Sequence, residues 1–131
     1  AVTQKPRVLV LGDLVLDVVL APERAIETGT DVPGTVGIRQ GGSAANTARW
    51  LARLGADVQL ICAVGRDGAG RSLVTQLERD GVHVRAARIA GERTGRVGVL
   101  VAPGSWGLDG SREVSGRRYL AHGGGEFGER M

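Results

Sequence analysis

Cysteine is nearly absent: Cys62 is the single one among 131 residues. An intrachain disulfide is therefore excluded, and no thiolate-based zinc site is spelled out. Histidine is equally sparse, and His83 and His122 stand too far apart to form a helical ligand pair. Two Trp, one Tyr and one Phe offer too few faces for a base-stacking platform, and no dense basic run appears, so nucleic acid is not an expected partner. Lys5 is the only lysine; the high isoelectric point arises from arginines set against fourteen carboxylates, and the net charge is only +3. Residues 8–20, following Lys5 and Arg7, imitate a signal peptide, but Asp13 and Asp17 interrupt them. The same charges exclude a transmembrane span there, so no membrane partner and a reduced, cytoplasmic location are expected.

What is present is a globular composition, with 42% apolar and 24% charged residues, enough for one modest core. Arg7-Val-Leu-Val-Leu11 is continuously apolar and breaks at Gly12, as a strand buried on both faces would. Residues 14–20 also read as a strand, although Asp17 in its middle must be solvated, paired or bound. Residues 21–37 hold two Pro and three Gly and read as turns and short exposed strands. Gly41-Gly42-Ser43 then opens a helix with Ala44, Ala48, Leu51 and Ala52 on one face and Asn46, Arg49 and Arg53 opposite. Ser43 is the expected N-cap and Gly55 the expected terminator. A strand over 57–64 follows, then a helix capped by Asp67, built on Leu73, Val74 and Leu77 and ended by Gly81. Strands over 82–89 and 96–102 come next. Strand, helix, strand, helix, strand is the order of an α/β fold with a parallel sheet. Residues 104–131 differ: they are Gly-rich, without sustained period.

Chemistry concentrates in Gly41-Gly-Ser-Ala-Ala-Asn46-Thr-Ala48. Two glycines before a helix let the backbone approach a ligand, with first-turn amides aimed at it. Asn46 offers both a donor and an acceptor, and a carboxylate such as Asp17 could accept from adjacent hydroxyls. Such a set could recognise a polyol without any net ligand charge. The plainer alternative stays open: a tight turn, an Asn capping its own helix, and an Asp paired with an Arg. Asp13 reads equally well as a strand-end residue. A different site is offered by Gly65-Arg-Asp-Gly-Ala-Gly70-Arg71-Ser72, a P-loop pattern with Arg where the Lys should be. A guanidinium is not a simple replacement for that slender ammonium. A dinucleotide fold lacks its Gly-x-Gly-x-x-Gly turn after the first strand.

Gly41, Gly42, Ala44, Asn46, Ala48, Gly55 and Gly65 have the spacing of the first signature of PfkB-family carbohydrate kinases, which this chain resembles over about residues 8–103. Val8-Leu-Val-Leu-Gly12-Asp-Leu-Val-Leu-Asp17 is similar to that family's opening strand, and Gly65-Arg-Asp67-Gly-Ala-Gly70 and Thr94-Gly95 stand where it has a Gly-x-Asp-x-x-Gly turn and a Thr-Gly.

The resemblance implies a ribokinase-like α/β fold, Rossmann-like with a small β lid, present in part. Residues 1–103 would be the N-terminal part of the kinase domain and 104–131 an atypical tail; a fragment end, a divergent tail and a frame-shifted translation fit that tail alike. It further implies phosphorylation of a sugar, nucleoside or similar alcohol, with ATP and Mg²⁺ bound by residues that this chain does not contain. Asp17 would hold sugar hydroxyls, Gly41 and Gly42 would bring backbone to the substrate, and Asn46 would contact the sugar. Ser43 departs from ribokinases, which often carry Lys there, so ribose itself is not implied. The family's Asp-Thr-x-Gly-Ala-Gly-Asp string, which supplies the base and an anion hole, does not occur in these 131 residues. The chain is thus expected to recognise substrate without catalytic residues of its own, with a homodimer through the lid. The alternatives are a non-catalytic sugar-binding or regulatory fragment and, behind it, the P-loop domain.

Overall fold

The computed structural model describes residues 4–103 and 117–124. The chain divides into two compact units, one formed by Ala1–Leu16 with Gln40–Gly95 and the other by Asp17–Arg39 with Arg96–Met131.

The first unit is built on three parallel strands in the order β1-β4-β5: β1 (Arg7–Leu11), β4 (Asp57–Gly65) and β5 (Val82–Ile89). Arg7 pairs with Asp57 and Leu11 with Ile61 in the β1–β4 ladder; Val58 pairs with Val82 and Gly65 with Ile89 in the next. Helices α1 (Ser43–Arg53) and α2 (Gly68–Arg79) are the other elements of this unit. Strand alternation decides what the helices cover. Val58, Leu60, Cys62 and Val64 of β4 are buried, together with Ala45 and Ala48 of α1 and Leu73, Val74 and Leu77 of α2. Val8, Val10, Val84 and Ala86 pack against this core from the flanking strands. The opposite side of β1 carries Leu9 and Leu11, which are 62% and 77% exposed.

Both helices end on glycines that the sequence marks: Gly55 and Gly81 have φ of +94° and +88°, the left-handed conformation that terminates a helix. On α1 the expected face needs one correction. Ala45 is fully buried with Ala48, while the expected Ala44, Leu51 and Ala52 are half-buried and pack against the same core.

A second sheet, four-stranded in the order β3-β2-β6-β7, is made of β2 (Val15–Pro22), β3 (Gly34–Gly41), β6 (Arg96–Pro103) and β7 (Arg117–Gly124), and all but the start of β2 and the end of β3 belongs to the second unit. β6 and β7 run antiparallel, with Arg96 opposite Gly124 and Pro103 opposite Arg117. β7 falls within the segment that the sequence offered only as a Gly-rich tail. β3 is longer than the short strands expected there and runs directly into the double glycine.

The core assignment has a measurable consequence. Leu60→Ala, at a side chain with no exposure, should cost about 2–5 kcal/mol, whereas Leu11→Ala should stay within about 0.5 kcal/mol. Urea unfolding of the two variants beside the parent chain checks the difference.

Candidate functional site

The chain leaves β1 through Gly12 and Asp13, and Asp13 then organises the start of α1. Its carboxylate accepts from the Ser43 amide at 3.2 Å, the Ala44 amide at 3.1 Å and the Ser43 hydroxyl at 3.1 Å. Its backbone carbonyl accepts from the Ala45 amide at 3.2 Å. Three successive amides of the first turn, which have no partner inside the helix, are thus satisfied by one residue thirty positions upstream. Ser43 is therefore not the cap: the N-cap position is Gly42, which has no side chain to offer. Gly42 is required at this place, since its φ is +102° and an added Cβ would stand 2.5 Å from the Asp13 carbonyl oxygen.

Burial alone would raise the Asp13 carboxyl; the Ala44 amide, its own amide and the Ser43 hydroxyl and amide outweigh it and hold the group below the ordinary 3.8. The expectation that these first-turn amides aim at a ligand is accordingly corrected: Asp13 occupies them.

Gly41, Gly42 and Asn46 are drawn together at the carboxyl end of β1, where ligands of open α/β sheets bind. Gly41 is buried, Gly42 half-buried, and Asn46 exposed one turn into α1. Asp17 is half-buried on β2 and belongs to the second unit.

Sequence reasoning missed Gln40. It is only 7% exposed, and its Nε2 donates to the Gly41 carbonyl at 3.0 Å and to Asn46 Oδ1 at 3.2 Å. Its Oε1 accepts from Arg49 Nη1 at 2.9 Å, and Arg49 Nε in turn bonds Asp80 Oδ2 at 2.9 Å. The only signal was a Gln and an Arg nine positions apart on either side of the double glycine.

The P-loop-like string has a different use. Asp67 caps α2, its Oδ1 accepting from the Gly70 amide at 2.9 Å, as the sequence suggests. The same carboxylate accepts from the Thr94 hydroxyl at 2.6 Å and the Thr94 amide at 3.0 Å, and Thr94 Oγ1 accepts from the Gly65 amide at 3.1 Å. A Cβ on Gly65 would meet the Glu92 carbonyl oxygen at 2.4 Å, and one on Gly70 the Gly65 carbonyl oxygen at 2.7 Å. These glycines exist for close packing of the loop against residues 92–94. A carboxylate stands where a phosphate would have to sit, which removes the P-loop reading.

A cavity lined by Lys5, Arg7, Asp57 and His83 opens at the amino ends of the strands. Asp57 lies 3.8 Å from Arg7 and 3.4 Å from His83, so the carboxylate there already faces two neighbouring side chains. It is at the wrong end of the sheet for a substrate. Among the described residues no group of three or more His, Cys, Asp or Glu could hold a metal, and no helix is long and apolar enough to cross a membrane.

The family model for pfkB family carbohydrate kinases matches residues 5–105. Pseudouridine kinase of Escherichia coli (strain K12) is 34% identical over 92 residues, which cover 70% of this chain and 29% of that protein. Ribokinase from Cryptococcus neoformans var. grubii serotype A, solved in complex with ADP, superposes with a TM-score of 0.66 at 27% identity, over 92% of this chain and 35% of its own. A carbohydrate kinase from Agrobacterium tumefaciens gives a TM-score of 0.69 at 24% identity, over 91% and 35%. The fold is thus ribokinase-like, and the chain spans about a third of the length of the relatives it matches.

Asp13 should be visible in a pH titration of stability. Asp13→Ala is expected to cost about 0.5–2 kcal/mol at pH 7, the usual range for a lost cap. Because the folded value is depressed, that contribution is complete above the ordinary aspartate value and disappears as pH falls through the lowered one. The gap between parent and variant in urea unfolding should therefore narrow as pH falls below the ordinary aspartate value; a gap that stays constant down the acid range would remove the charge from the explanation.

Proposed function

The chain belongs to the pfkB family of carbohydrate kinases, and from that premise we propose that it recognises the neutral alcohol acceptor, a sugar or a nucleoside, of an ATP-dependent kinase. The observation that carries this reading is the start of α1. Asp13 consumes the amides that would otherwise favour an anion, while Asn46 remains exposed beside them. A site of that kind suits hydroxyls better than phosphates. In this reading Asp17 accepts from sugar hydroxyls, Gly41 and Gly42 present backbone, and Asn46 contacts the sugar. The likeness to pseudouridine kinase makes pseudouridine the first ligand to try.

ATP is the proposed phosphoryl donor, supported by the family and by the ADP in the Cryptococcus ribokinase. Neither helix start described here fits a nucleotide: Asp13 and Asp67 hold those amides, and their carboxylates would repel phosphate oxygens. ATP and Mg²⁺ are therefore assigned to residues other than these. The work of this chain is to bind the acceptor, fix its orientation and, through the sheet of the second unit acting as a lid, exclude water. Without a general base, whose help is typically worth about 10²–10⁴-fold, it turns nothing over by itself. The proposed compartment is the reducing cytoplasm, on the strength of the free, buried Cys62. A homodimer through the lid is proposed from Val36 and Ile38, each 69% exposed on β3, an edge of the four-stranded sheet.

Three measurements test these statements. Asp17→Asn should weaken pseudouridine binding by about 1.5–3 kcal/mol in calorimetry, and an unchanged affinity in a folded variant would return Asp17 to a structural role. The purified chain with ATP, Mg²⁺ and a panel of sugars and nucleosides should release no sugar-dependent ADP; release abolished by Asp17→Ala would show that it carries its own catalytic groups. Sedimentation should report a dimer that Val36→Asp dissociates.

A further inference from the structure

We propose that Gln40 is a positioning residue that fixes the polarity of the Asn46 side chain, so that Asn46 turns its amide NH₂, as a hydrogen-bond donor, toward its ligand. That ligand is the acceptor alcohol of the reading above, on which this step rests.

A side-chain amide has two ends of nearly the same shape and opposite hydrogen-bonding character, so which end faces outward must be decided by its neighbours. Here the decision passes along four residues in one direction. Asp80, as a carboxylate, only accepts, and it holds Arg49 at 2.9 Å. Arg49 only donates, so the oxygen of Gln40 must face it, at 2.9 Å. The nitrogen of Gln40 is thereby turned the other way, and its two protons meet two acceptors, the Gly41 carbonyl at 3.0 Å and Asn46 Oδ1 at 3.2 Å. Turning Gln40 over would set its NH₂ against the guanidinium and its oxygen against the Gly41 carbonyl. At 7% exposure Gln40 itself has little access to water that could relieve either clash.

With its oxygen turned to Gln40, Asn46 directs Nδ2 the other way, and that group makes no hydrogen bond to any described residue. The group that Asn46 turns outward is therefore a donor, suited to a lone pair on a hydroxyl or carbonyl oxygen.

The test begins on the chain without ligand, by solvent exchange of side-chain amide protons in ¹⁵N NMR. Both Gln40 Nε2 protons should exchange slowly and the Asn46 Nδ2 protons fast. Gln40→Glu keeps the shape and the Arg49 contact but can only accept; Asn46 should then turn over, and one of its Nδ2 protons should slow by about tenfold, the effect of one gained hydrogen bond. Asn46 protons already slow in the parent, or unmoved by Gln40→Glu, would overturn the inference. Should that variant fail to fold, Asn46→Leu should free one Gln40 proton and leave the Gly41-bound one slow; two slow protons would overturn it equally.

Calorimetry with pseudouridine separates this inference from the reading beneath it. Gln40→Glu and Asn46→Ala should each weaken binding about tenfold, and Gln40→Glu should add nothing in the Asn46→Ala background. Weakening by Asn46→Ala but not by Gln40→Glu overturns the positioning role. No effect of Asn46→Ala overturns Asn46 as a ligand contact, and the exchange rates alone then decide the polarity.

Discussion

A helix that begins on glycine has no side chain of its own with which to satisfy its first amides, and this one obligation shapes the region around α1. Gly42 cannot be exchanged for a capping residue, because its backbone is left-handed and lies against Asp13. The acceptor must therefore come from elsewhere in the chain, and Asp13 supplies it from the end of β1. The bond set ties strand end to helix start, one turn before Asn46. It also settles the electrostatics, since a helix start already facing a carboxylate has little attraction left for an anion.

The second helix repeats the device with a different emphasis. Asp67 caps α2 and simultaneously holds Thr94, so one carboxylate fixes both the helix start and the approach to β6. Nearby, the Leu16 amide donates to the Gly95 carbonyl at 2.9 Å, which sets side by side two of the points where the chain leaves the first unit. Gly65 and Gly70 permit the close contact. A Gly-rich string before a helix is therefore ambiguous in a way composition cannot resolve: the same absence of side chains serves a phosphate in one protein and a neighbouring backbone here.

Most of the first unit was legible. Continuous apolar strands, helix faces and the glycine stops at 55 and 81 are local signals, and each is realised close to where the sequence put it. What escaped was non-local. Ser43 looks like a cap because nothing nearby announces an Asp thirty residues upstream that does the task better. Arg49 looks like a solvated outward residue, yet it spans from Gln40 to Asp80, residues separated by forty positions. Gln40 itself was hidden by its neighbours, since a polar residue before two glycines reads as part of a turn. β7 lacks an alternating pattern altogether, and its pairing with β6 is supplied by the antiparallel ladder. The glycines and Asn46 of the candidate site stood out as a double glycine and an amide at a helix start, and the family likeness gave them roles; the residues that hold them in place went unnoticed.

The leucines on the uncovered side of β1 carry one more implication. β1 has a partner on one flank only, β4, among the described residues, and Leu9 and Leu11 project beside that open row of backbone groups. An apolar strand with free donors and acceptors is a template for another strand. For the isolated polypeptide, crowding rather than heat becomes the hazard: the route out of solution runs through encounters between folded molecules and does not require any of them to unfold.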